Sequence, residues 1–102
     1  MFTYTTPTIP ATIPDIDFSN VDYFRIKIAS EKKSFLFVVN ATDSNVDPET
    51  NTIYIELTQE QTAELEEGFA AIQARIIYLS GKIQATKKAV ISIEDVLDKV
   101  II

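Results

Sequence analysis

Cysteine and histidine are both absent from these 102 residues. Without a thiol or an imidazole the chain has no disulfide framework, thiolate nucleophile, zinc finger or Ser-His-Asp relay. Glycine occurs only at Gly68 and Gly81, too sparsely for a loop that cradles phosphate, so no cofactor is expected. Basic residues are also few, 9 against 15 acidic, for a net charge of −6. A phosphate backbone would repel such a surface, and no nucleic-acid partner is expected. From Asp15 onward no uncharged stretch exceeds nine residues, against roughly twenty for a membrane helix, so no membrane partner is expected either. Residues 1–14 carry no charged side chain but hold Pro7, Pro10 and Pro14. Lacking a basic start, they do not read as a signal peptide. The chain is expected to be made and kept inside a cell, or to leave it by lysis.

Apolar residues make up 46% and charged residues 24%, a globular balance at a length suited to one domain. The Thr/Pro-rich segment 1–14 reads as an extended arm, because proline at that density forbids a helix and a central strand. Such an arm either lies along a sheet as an edge strand or reaches a neighbouring subunit. Residues 15–102 then form a single domain.

Period-two alternation dominates that domain. Phe24, Ile26 and Ile28 alternate with Arg25 and Lys27, which marks a half-buried antiparallel strand. Phe35, Phe37 and Val39 share one face of a second strand, and Glu31-Lys32-Lys33 reads as the turn between them. Residues 40–51 form a polar loop. In residues 52–57, Ile53, Ile55 and Leu57 alternate with Tyr54 and Glu56. Thr58 and Gln61 then satisfy the capping-box spacing for a short helix, with Gly68 placed to cap its end. Ile72, Ala74, Ile76 and Tyr78 resume the alternation, Ser80-Gly81 signals a hairpin, and residues 83–91 return as the partner strand. Lys87-Lys88 interrupts its alternation. Ser92 followed by Glu94 and Asp95 opens a short C-terminal helix, with a final strand as the alternative because the residues are mostly β-branched. The expected fold is therefore mainly β: a small antiparallel, Ig-like β-sandwich with one helical crossover and a short C-terminal helix.

Few residues offer chemistry. The run Asp43-Ser44-Asn45-Val46-Asp47-Pro48-Glu49 resembles the start of a calcium loop. Pro48 and Tyr54 occupy the places of the required glycine and distal glutamate, so it reads as a polar turn and no metal is expected. Glu60, Glu64 and Glu67 fall on one helical face, where solvation is the simpler reading than acid–base work. Aromatic residues Tyr23, Phe24, Phe35, Phe37, Tyr54, Phe69 and Tyr78 lie in or beside strands and read as the core and its rim. An exposed aromatic platform would instead mark a carbohydrate- or surface-binding module, and Tyr54 is the outward residue to watch. The apolar tail is the sharpest anomaly, since chain ends are usually polar. It either packs on its own sandwich or docks on a neighbour. Ile9 and Ile13 in the arm, with Val96, Leu97, Val100, Ile101 and Ile102 in the tail, are the candidate interface residues.

The succession Ile53-Tyr54-Ile55-Glu56-Leu57-Thr58-Gln59-Glu60-Gln61-Thr62, then Gly68, then Ile72-Gln73-Ala74-Arg75-Ile76, resembles a family of small phage and prophage proteins of Gram-positive gut bacteria. Gly81-Lys82 occupies the family's turn, and residues 93–101 are similar to its tail. The likeness covers residues 15–102. It implies a non-enzymatic structural protein of the virion (tail, baseplate or head-associated), made in the bacterial host cytoplasm. Its implied partners are other virion proteins or itself, as a homo-oligomer, and it brings no catalytic residues.

Overall fold

A computed structural model describes all residues, 1–102. Eight strands follow in chain order: β1 (Thr8–Thr12), β2 (Val21–Ala29), β3 (Ser34–Asn40), β4 (Val46–Asp47), β5 (Thr52–Glu56), β6 (Gly68–Tyr78), β7 (Ile83–Ala85) and β8 (Ala89–Ile93). The helix α1 (Gln59–Glu64) bridges β5 and β6, and a single 3-10 turn (Phe18–Asn20) precedes β2. Every strand pairing is antiparallel, giving a three-stranded sheet β1-β5-β4 and a five-stranded sheet β3-β2-β6-β7 in which β8 also pairs with β6. The chain is mainly β, with its two sheets arranged as a sandwich.

The alternation explains the layering. Phe24, Ile26 and Ile28 from β2 meet Ile76, Ala74 and Ile72 from β6 in register; all but the half-buried Ile72, which packs against them, join Ile53, Ile55 and Leu57 in one buried cluster between the sheets. Tyr54 and Glu56 face out. Burial of this apolar area is the dominant favourable contribution to such a thin fold. The expected capping box is present: Gln61 N–H donates to the Thr58 hydroxyl (3.2 Å) and Thr58 N–H donates to Gln61 Oε1 (2.9 Å). Asn40 ends β3, and residues 41–51 form the expected polar loop, interrupted by the two residues of β4.

The Thr/Pro-rich segment is built into the sandwich. β1 pairs along β5, and Ile13 N–H donates to the Asn51 carbonyl at 2.8 Å. Ile13 is therefore a core residue, 7% exposed. It corrects the expectation that this side chain is available to a partner. Further back, Glu94 N–H donates to the Met1 carbonyl (2.8 Å) and Thr3 N–H donates to the Glu94 carbonyl (2.9 Å). The first residues thus run parallel beside the end of β8.

Three local expectations are corrected. No C-terminal helix forms: Ser92 lies within β8, Ile93 is buried, and residues 95–102 contain no regular element. Pairing of β8 with β6 on one side and with residues 1–3 on the other satisfies this segment's backbone better than a frayed helical turn would. Gly68 does not cap α1, whose C-cap is Leu65; with φ +134° it opens β6 in a conformation that only glycine takes easily. The closing strand is split into β7 and β8 by a bulge. Ala85 lies opposite Arg75 but Ala89 lies opposite Ile72, so four steps on one strand meet three on the other and one residue is extra. Lys87-Lys88 sits at that insertion, where Thr86 turns its hydroxyl onto Ala74 N–H (3.1 Å).

Candidate functional surfaces

In the polar loop, the carboxylates serve the backbone. Asp43 Oδ2 accepts from Asn40 N–H (3.1 Å) and Asp47 Oδ1 accepts from Glu49 N–H (3.1 Å). These are the local bonds by which Asp stabilises turns. At the start of the five-stranded sheet, Asp17 Oδ1 accepts from the Ser19 hydroxyl (2.6 Å) and from Ser19 N–H (3.0 Å). Those two bonds, the hydroxyl's first, hold the Asp17 carboxyl below its ordinary range.

The glutamates of α1 do not converge. Glu67 lies beyond the helix, Glu64 pairs with Lys33 at 3.3 Å, and Glu66 pairs with Lys32. The Glu66 hydrogen bond and charge raise the Lys32 amine above its usual value. All these groups are solvated, where an ion pair contributes little. The helix's other face works mechanically. Fully buried Thr62 accepts from Thr5 N–H (3.1 Å) and donates to the Thr5 carbonyl (2.8 Å). One turn earlier, the Gln59 amide donates to the Ile102 carbonyl (3.1 Å) and accepts from Ile102 N–H (3.0 Å). Sequence reasoning singled out the acids and missed this pair; their i, i+3 spacing was the available signal.

The aromatic residues divide. Phe24 is buried, with its ring tilted against Phe18 at 5.4 Å between centroids. Phe69 corrects the core reading, being 73% exposed. It alternates with buried Ala70, so its parity points it outward. Tyr54 is exposed on the three-stranded sheet and Phe69 on the five-stranded one, and the two therefore share no stacking platform.

Between β1 and the β6–β8 side lies a cleft of about 290 Å³, lined by Ile9, Ala11, Ile13, Ile26, Ile72 and Ile91, with Lys87 as its one ionisable group. A single exposed ammonium supplies no acid–base pair. The tail is different in kind. Val96 is half-buried, while Leu97, Val100, Ile101 and Ile102 are exposed. Ile9, the remaining candidate, is half-buried at the cleft. The structure therefore separates the arm's apolar residues, which serve this chain's own core and cleft, from the tail's. No family model matches the chain, and no curated protein matches it.

Proposed function

We propose that this chain is a non-enzymatic structural protein of a phage or prophage particle, working by assembly with itself or with other particle proteins. The observation that supports it is the tail: Leu97, Val100, Ile101 and Ile102 are exposed within six consecutive residues, whereas Ile26, Ile28, Ile53, Ile55, Leu57 and Ile93 share the core. Fully burying such a side chain stabilises by roughly 1.5–3 kcal/mol, so four left in water are a substantial favourable term reserved for another surface. The resemblance over residues 15–102 supplies the proposed setting, a virion whose proteins are made in the bacterial host cytoplasm.

The test is truncation after Asp95, which keeps the contact of Thr3 with the Asp95 carboxylate (3.3 Å). Thermal melting and light-scattering mass are compared with the full chain, alone and with other particle proteins. The expected result is a melting temperature within a few degrees of the full chain together with weaker association. A truncated chain that melts far lower, from a full chain that never associates, would assign the tail to its own sandwich and overturn the reading.

A further inference from the structure

Each sheet of an open sandwich ends in strands with unpaired main-chain groups, and proteins normally blunt such edges. Three of the edges here are blunted. β1 carries Pro10 at a position whose backbone faces away from β5, since Ile9 and Ala11 are the residues turned toward it by the parity of the Pro7–Leu57 and Ile13–Asn51 bonds. Proline there removes the central donor of the free edge. β4 is two residues long, and the β7–β8 edge is broken by a bulge and flanked by residues 1–3.

β3 has none of these devices. Its seven residues, Ser-Phe-Leu-Phe-Val-Val-Asn, contain no charge, proline or glycine. The bonds Ser30 N–H to Lys33 carbonyl (2.9 Å) and Ala41 N–H to Asp22 carbonyl (3.1 Å) fix the parity of the β2–β3 ladder. Phe35, Phe37 and Val39 are bonded to β2, and the N–H and C=O groups of Leu36 and Val38 point out of the sheet edge. The side chains of the same two residues are 51% and 54% exposed on the sheet's outer face.

We propose that β3 is a self-pairing edge, and that its occupant is β3 of a second copy, antiparallel about a two-fold axis at Phe37. The geometry is self-complementary. With Phe37 opposite itself, Leu36 faces Val38 of the second copy and Val38 faces its Leu36, each pair exchanging both main-chain bonds and covering both exposed side chains. The same register places Ser34 opposite Asn40 of the second copy, so no charged residue lies within the paired segment. Asn40 marks the limit of the open edge, because its N–H and carbonyl already bond Asp43 (3.1 and 3.0 Å). The inference deepens the assembly reading but rests on a surface separate from the tail.

Amide hydrogen exchange resolves the alternation directly. A seven-residue edge is small beside a standard interface of about 1,600 Å², so exchange and mass are measured from about 10 µM to 1 mM. The Leu36 and Val38 amides are expected to exchange at least about tenfold more slowly at the high end, with Phe35 and Phe37 unchanged because β2 already protects them. Val38→Pro, which removes a free-edge donor and no ladder bond, is expected to abolish the concentration dependence at Leu36. Val38→Lys, on an exposed face, gives the same readout if the proline variant does not fold. Truncation after Asp95 is expected to leave the edge protection intact. Fast exchange at Leu36 and Val38 across the whole range overturns the proposal, as does concentration-dependent protection of Leu36 that survives both Val38 substitutions. Association lost on truncation alone, with the edge amides fast throughout, sinks the edge and keeps the tail.

Discussion

Replacing the hydroxyl of Thr62 by a methyl tests how the N-terminal segment is held. Thr62→Val keeps the shape and costs little in helix propensity, but it leaves the Thr5 N–H and carbonyl facing carbon where they now face Oγ1 at 3.1 and 2.8 Å. An unsatisfied buried polar group costs about 1–3 kcal/mol. Both Thr5 bonds are partly buried, so the two together are worth about 2–3 kcal/mol at the lower end of that range. For a domain of this size each kcal/mol lowers the melting temperature by roughly 4–8 °C, giving an expected fall of about 10–20 °C. Thr62→Ser keeps both bonds and loses one methyl, about 1 kcal/mol. Urea unfolding followed by circular dichroism gives both values on one scale. If Thr62→Val falls within about 0.5 kcal/mol of the parent while Thr62→Ser falls further, the methyl and not the hydroxyl holds the segment, and the reasoning fails.

Two further outcomes follow from the backbone and from pH. Gly68→Ala meets no atom within 4 Å of its new Cβ, so its cost is conformational alone at φ +134° and is expected at about 1–3 kcal/mol in urea unfolding; a neutral result would contradict the strained geometry. Asp17 has a folded-state pKa below its unfolded one. Its contribution is therefore present above the unfolded value, about 3.9, and is lost as pH falls through the folded value. The difference in melting temperature between the parent and Asp17→Ala should be constant near pH 7 and close below about pH 4, and a gap that widens on acidification would reverse the sign.

What was legible in the sequence was whatever depends on neighbours in the chain. Alternation placed Ile53 and Ile55 inside with Tyr54 and Glu56 outside, and the Thr58–Gln61 box marked the helix start. What was not legible depends on partners far away. The segment 92–94 pairs with Gly68 and with residues 1–3, so a cap-like Ser92 and its acids were overridden by tertiary pairing. Phe69 was misread because residue type was weighed above parity. Of the candidate surfaces, the tail stood out as an apolar end. The openness of β3 did not, because which strands are edges is a property of topology, and neither Leu36 nor Val38 differs in kind from a core residue.

In the proposed assembly the two surfaces would contribute different things. The edge of β3 offers directional main-chain groups and therefore sets a register, whereas the tail offers side chains and therefore sets strength. The hold on the tail within the chain is slight. Two bonds from Gln59 to Ile102, at 3.1 and 3.0 Å, contribute roughly 0.5–1.5 kcal/mol each. Fixing the backbone of residues 96–102 costs roughly 1–2 kcal/mol per residue, several times more. Gln59 thus positions the end of the tail over α1 without covering its side chains. In the assembly proposed above, burying the exposed parts of Leu97, Val100, Ile101 and Ile102 on a partner would supply the remaining ordering free energy, at up to roughly 1.5–3 kcal/mol for each side chain. A tail held this lightly is cheap to reorient onto a neighbour. A tail locked into its own core would first have to be torn out.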